Sequence, residues 1–298
     1  MIFTEIKCPV CNSKKYYKWK SWIEKNHKFQ VSVCKNCGFV YQNPRIKYND
    51  LDLFFKEYYY DRDEKQKILK DICKDCNCIA KDNEKEISKA NHVYEFIKKF
   101  IKDKKNPSIL DIGSDFNFLQ EFMGLTHNLD DIDESKINIV GISPSRQSSH
   151  PLFKILKNKF ENWYDDRETK NKCKDLQTFD IIILCHTFEH FYNPYIIVKK
   201  LFNLLSEDGI LYIEVPSFHT GLLKTKELIK IPEHFSFFTK QSLMNCFRDV
   251  NFGILKIEES KKFGNIKCIF SKNCSKWQEI KKENWIMSLI KYYISRLN

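Results

Sequence analysis

Ile181 to Leu184 is a short, uninterrupted apolar run. Such a run fits a strand buried on both faces of a parallel sheet. Polar residues follow at once: His186, Glu189 and His190. From Pro194 onward, Ile196, Ile197, Leu201, Leu204 and Leu205 recur at helical spacing. Pro194 suits an early helix position, where its missing N–H costs nothing. Asp208-Gly209 predicts a turn, and Ile210 to Val215 a second strand stopped by Pro216. A strand, a helix and a strand in this order predict two parallel strands joined by a right-handed crossover. Ligands of open α/β sheets sit beyond the carboxyl ends of the strands. The pattern therefore puts His186, Glu189 and His190 at a candidate site.

The same reading extends along the chain. Tyr16 to Trp22 and Lys28 to Val33 predict a hairpin. Asp50 to Ile101 predicts charged helix, with Leu51, Phe54, Phe55, Tyr58 and Tyr59 on one face and an amphipathic helix over Ile87 to Ile101. Strands are expected over Ser108 to Ile112, Ile137 to Ser143, and from Phe153 toward Trp163. Thr126 to Lys136 and Asp165 to Asp175 read as polar loops. Asp130, Asp131, Asp133 and Glu134 in the first of these suggest Ca²⁺, but the glycine and later glutamate of a calcium loop are missing, so a solvated loop is expected. Thr239 reads as the N-cap of a helix over Ser242 to Val250, before a final hairpin at Phe252 to Glu258 and Asn265 to Phe270. Lys276 to Leu297 reads as a basic amphipathic helix, expected to pack on its own domain or a partner subunit, or to make peripheral membrane contact.

Composition narrows the class. The 298 residues suffice for one sizeable α/β domain and a small extra module. No apolar stretch is long enough to span a bilayer, and the N-terminus lacks the apolar core of a secretory signal, so a cytoplasmic protein is expected. Twelve cysteines then point to metal ligands and free thiols rather than disulfides. Cys8-Pro-Val-Cys11 and Cys34-Lys-Asn-Cys37-Gly38 form two C-x-x-C knuckles, each able to give two thiolates to one tetrahedral Zn²⁺. A closed four-cysteine site is structural; the alternatives are free cysteines or a redox pair. Cys73, Cys76 and Cys78, with His92 beyond, raise a second metal, though no well-spaced fourth ligand is evident. The net charge of +11 favours an anionic partner or reflects a lysine-rich solvated surface.

The order of an apolar strand, H-x-F-E-H, a proline-capped helix, D-G and a strand ending E-V-P resembles the class I S-adenosylmethionine-dependent methyltransferases. The closer resemblance, covering Ile6 to Phe270, is to the branch with an N-terminal zinc ribbon, many of whose members modify sugars; Phe39 to Arg45 matches the usual exit from that ribbon. The resemblance implies an α/β, Rossmann-like, doubly wound, mostly parallel seven-stranded sheet. The ribbon would take residues 1–45, a helical connector or lid 46–104, the methyltransferase domain 105–272 and the C-terminal helix 273–298. Asp111, Gly113, Ser114 and Asp115 match the first cofactor motif, in which Asp115 and Asn117 stand where later glycines usually sit. Ser143 falls where the family has an acid for the ribose hydroxyls. By resemblance, Phe160 and Glu161 lie by the adenine, Cys185 and His186 beside the cofactor, and Tyr58, Tyr59 or Tyr60 folds over the substrate. Glu233-His234 matches a segment that closes over the acceptor.

A carboxylate and an imidazole together make a general base, because the carboxylate orients the ring and the free nitrogen accepts a proton. His234 oriented by Glu233 is the first candidate; His186 and His190 compete, and Glu189 is expected to hydrogen-bond the acceptor or support a histidine. The expected activity is methyl transfer from S-adenosylmethionine to a sugar, nucleotide-sugar or glycan. The alternatives are a catalytically decayed scaffold, motivated by the departures at Asp115, Asn117 and Ser143, and a nucleic-acid methyltransferase. The last lacks a compact basic run interleaved with aromatics.

Overall fold

The computed structural model describes residues 1–60, 78–127, 138–144, 147–170, 178–219, 231–260 and 264–273, with backbone alone for 59–60, 78–88, 149 and 167–170. Two strands, β1 (Phe3–Thr4) and β5 (Arg45–Ile46), bracket the N-terminal module. Inside it, β2 (Tyr16–Glu24) and β3 (His27–Cys34) form the predicted hairpin, and β4 (Val40–Gln42) pairs with β3. The short helix α1 (Leu51–Phe55) follows, and α2 (Cys78–Ile101) leads into the main sheet.

That sheet is built from β6 (Ile109–Ile112), α3 (Phe116–Thr126), β7 (Ile139–Ser143), β8 (Ser148–His150), β9 (Phe153–Lys157), α4 (Phe160–Lys170), β10 (Phe179–Cys185), α5 (Pro194–Leu204), β11 (Leu205–Pro216), β12 (Ser236–Phe237), α6 (Lys240–Phe247), β13 (Gly253–Ser260) and β14 (Asn265–Ser271). Of these, β12 pairs outside the main sheet, whose order is β13-β14-β11-β10-β6-β7-β9-β8. The run from β11 to β9 is parallel, and β14 lies antiparallel between β11 and β13. These are the seven expected strands; the three-residue β8 adds an antiparallel edge.

Both faces are covered, which is why the central strands read as unbroken apolar runs. In β10, Ile182 and Leu184 face one core with α4, α5 and α6; Ile181 and Ile183 face the other, with α2 and α3. Asn193 caps α5, its Oδ1 accepting from the Ile196 N–H at 3.3 Å, with Pro194 in the first turn. Ile196 lies off the buried stripe and is 48% exposed. Thr239 and Ser242 make a reciprocal capping box on α6. Helix α4 corrects one expectation. The charged segment from Asp165 continues as helix to Lys170, with Trp163 and Tyr164 buried inward and Asp165 paired to Lys200 of α5.

The N-terminal sheet is not self-contained. Strand β12 pairs antiparallel with β4, Ser236 opposite Tyr41, and completes a sheet ordered β12-β4-β3-β2. Arg45, fully buried, fastens the same junction. Its guanidinium donates to the carbonyls of Gln42, Tyr192 and Phe235, and lies over the rings of Tyr192 and Phe235 at 5.1 and 5.5 Å. Burial lowers its pKa to about 10, still high enough to keep the charge. Among the described residues, no helix is long and apolar enough to cross a membrane. The C-terminal helix expected beyond residue 273 and the acidic loop at 128–137 lie outside the described residues, as do Cys73, Cys76 and the side chain of Cys78.

Candidate active site

Strand order reverses between β6 and β10: from β6 the chain moves out to β7 and β9, from β10 to β11 and β14. A ligand crevice belongs at this switch point. There the loop after β6 touches the loop after β10. Gly113 has φ +87°, and a Cβ on it would stand 2.1 Å from Thr187 Oγ1, so both backbone conformation and space demand glycine. The amides of Gly113 and Ser114 both donate to the Ile142 carbonyl, at 2.9 and 3.1 Å. Asp115 caps α3, accepting from the Asn117 amide at 3.1 Å. A cavity of 310 Å³ opens at this point. Its floor is Ile112, Gly113, Ile142 and Pro144; one wall is the start of α4, Asn158 to Asn162; another is His186, Thr187, His190 and Phe191. Tyr48, Leu51, Asp52 and Phe55 roof it from the α1 side, and Lys159 on the rim forms an ion pair with Asp52.

Behind the histidine wall lies a buried polar cluster. His186 adopts φ +53°, a left-handed backbone uncommon for a bulky residue. Its Nδ1 is 3.8 Å from Glu189 and its Nε2 3.7 Å from Glu214. Glu214, at the end of β11, accepts from Tyr212 Oη at 2.6 Å and Asn265 Nδ2 at 2.7 Å. Burial opposes a charge on His186, but the two carboxylates outweigh it and hold its pKa at about 9. Burial likewise opposes ionisation of Glu189, and the surrounding imidazoles, His186 first, outweigh it and hold that carboxyl far below the usual carboxylate range. His190 Nδ1 donates to the Glu233 carbonyl at 3.0 Å, and its ring meets His234 edge-on, centroids 4.9 Å apart. Glu189 Oε1 lies 4.0 Å from His234 Nε2.

Of the residues singled out from sequence, Gly113, Phe160, Glu161, His186 and His190 line the cavity. Asp111, Ser114 and Ser143 are buried immediately behind it; Asp115 serves as the helix cap. Cys185 is buried with its thiol 3.6 Å from Glu214 Oε2, and burial pushes its pKa well up. Glu233 and His234 are buried behind His190. Tyr58 packs away from the cavity: it is buried against Phe29 and Phe54, hydrogen-bonds His27 Nδ1 at 2.9 Å, and donates to the Glu24 carbonyl at 3.2 Å. Its job is core packing because the helical turn that follows α1, Lys56–Tyr60, places it against the hairpin. The side chains of Tyr59 and Tyr60 lie outside the described residues. Sequence reasoning missed Thr187 and the roof of Tyr48, Asp52 and Phe55. It also assigned no role to Glu214, although a glutamate closing a buried apolar strand was a signal.

The four N-terminal cysteines meet as their spacing predicts. One sulfur from each lies within 4.8 Å of the others, with Cys8–Cys37 at 3.6 Å and Cys11–Cys34 at 3.5 Å. Tetrahedral zinc–thiolate bonds of roughly 2.3 Å separate sulfurs by roughly 3.8 Å, so the donor set fits one zinc ion.

Comparison with known proteins gives one family. The model of a family described as a methyltransferase domain matches residues 83–257, more than half of the chain. No curated protein matches the chain. Solved structures match the chain at low identity. The partner of the Haloferax volcanii Trm112 methyltransferase activator is 10% identical over 63% of this chain and 94% of its own, with a TM-score of 0.43. The plantazolicin methyltransferase, solved with a substrate analogue and S-adenosylhomocysteine, is 17% identical over 79% and 88%, with a TM-score of 0.40. An S-adenosylmethionine-dependent methyltransferase of Clostridium acetobutylicum is 11% identical over 61% and 89%, with a TM-score of 0.38. Likenesses this distant identify no acceptor.

Proposed function

This chain belongs to the methyltransferase-domain family, and from that premise we propose that it transfers the methyl group of S-adenosylmethionine to a sugar or nucleotide-sugar held under α1. The observation that carries this reading is one cavity bounded on one side by the glycine turn after β6 and on the other by His190. The cofactor would lie along the Gly113 backbone at the cavity floor, with Phe160 and Glu161 at its far end. Asp111, Ser114 and Ser143 shape that turn from behind. The cofactor supplies a methyl group on a sulfonium, and the chain must align the acceptor and remove its proton.

His190 suits the second task. Its Nδ1–H is committed to the Glu233 carbonyl, which leaves Nε2 as the proton acceptor. His234 and the ionised Glu189 stand behind it and stabilise the charge it gains. His186 at the wall is kept protonated by Glu189 and Glu214. The four cysteines would hold a structural Zn²⁺.

Calorimetry with S-adenosylmethionine and S-adenosylhomocysteine tests the reading. Saturable heat is expected, lost in Gly113→Arg; His190→Ala is expected to keep the heat and lose methyl transfer to nucleotide-sugars. No heat with either ligand from folded protein would overturn it in favour of a decayed scaffold.

A further inference from the structure

We propose that Glu189, His190 and His234 form a second metal site, distinct from the four cysteines, that binds a divalent transition ion of the zinc, iron(II) or cobalt(II) class and presents it to the cavity. The inference does not depend on the methyl-transfer reading, because it concerns what the donor set binds. One ligand atom from each of the three residues lies within 4.8 Å of the other two. They come from two separate stretches, the loop after β10 and residues 231–235, which Arg45 ties together through the carbonyls of Tyr192 and Phe235.

Three details point to a cation. Glu189 is 2% exposed, and its Oε2 has no hydrogen-bond partner among the described residues. A buried carboxylate oxygen left unsatisfied is costly unless a ligand meets it. The 4.0 Å between Glu189 Oε1 and His234 Nε2 is too long for a hydrogen bond. It is near the separation of roughly 3–4 Å between two ligand atoms on one ion with bonds of roughly 2.0–2.2 Å. Finally, His190 donates its Nδ1–H to a backbone carbonyl. That is the outer hydrogen bond metal-bound histidines need, since it fixes the tautomer and directs the lone pair on Nε2 to the ion. The other histidine cluster, Cys185, His186 and Glu214, is less suited: both Glu214 oxygens are taken by Tyr212 and Asn265.

Two imidazoles and one carboxylate leave coordination positions open. His190 lines the cavity while Glu189 and His234 lie behind it, so an oxygen donor such as an acceptor hydroxyl or a vicinal diol would reach an open position past the His190 ring. With the ion bound, the His190 lone pair is committed, and the ion takes over holding that oxygen and making it more acidic.

Cobalt(II) titration of the metal-stripped full chain separates the two sites by ligand type. The first equivalent is expected to show thiolate-to-cobalt charge transfer, from the cysteines. A second equivalent should add d–d absorption without further thiolate charge transfer. Glu189→Gln and His234→Asn should each weaken that second equivalent at least about tenfold and leave the thiolate band unchanged, which also reports that the variant is folded. A second equivalent that is absent, or that carries thiolate charge transfer, overturns the proposal from the wild-type protein alone, whatever the variants do. An unaltered second equivalent in both variants overturns it too. S-adenosylhomocysteine binding, read separately, decides the methyl-transfer reading.

Discussion

At Gly113 two constraints coincide: the left-handed φ and the Thr187 hydroxyl 2.1 Å from any Cβ. They are separable by mutation. Gly113→Ala is expected to weaken S-adenosylhomocysteine binding at least about tenfold, a strain of about 1–3 kcal/mol. The double variant with Thr187→Ala should recover part of the loss, because only the steric share is relieved; additive losses in calorimetry would contradict the contact. Arg45 gives a second prediction at this scale. Arg45→Lys cannot reproduce a planar fork that serves three carbonyls from different segments. It should lower stability by about 2–4 kcal/mol, read from urea midpoints. Neither role was legible in sequence. Thr187 belongs to no recognisable pattern, and Arg45 reads as an ordinary exit residue until three carbonyls converge on it.

Elements were more legible than contacts, because periodicity is local. The runs at Ile109, Ile139, Ile181 and Ile210 became central strands since both sheet faces are covered. Two elements went beyond their pattern. Helix α4 extends through a charged stretch because Lys200 meets Asp165 across it. The aromatic stripe of α1 serves two surfaces, Phe54 in the hairpin core and Phe55 at the cavity roof, which a single-face reading does not anticipate. The start of β10 carries a pH-dependent tie. Asp180 accepts from the amide and hydroxyl of Ser108 and pairs with Lys104. Burial alone would raise its pKa, but these partners lower it below the ordinary value. The folded pKa is depressed, so the tie is in full force above the unfolded value near about pH 4 and is lost as pH falls through the folded one. Asp180→Asn should therefore cost about 1–2 kcal/mol at pH 7, and the gap to wild type should shrink below pH 4 in denaturant titrations.

The spacing of the four cysteines indicated that they would meet, but not that the N-terminal module shares its core with the main sheet. Cys8, Cys34, Phe39 and Tyr41 share one core cluster with the central strands, and β12 closes the ribbon sheet. Under the proposed zinc assignment, chelation is thus expected to lower the melting temperature of the whole chain in one transition and to weaken S-adenosylhomocysteine binding with it. Two separate transitions, with ligand affinity intact, would mean independent modules. That shared sheet also bears on the order in which the molecule is assembled. Gln42 donates its side-chain amide to the Pro232 carbonyl, 190 residues further along the chain. During synthesis β4 is made long before β12, and its edge waits with unpaired backbone groups until roughly 190 further residues have followed. The newborn sheet has three of its four strands, and that interval is when its open edge is most exposed to pairing with the wrong partner.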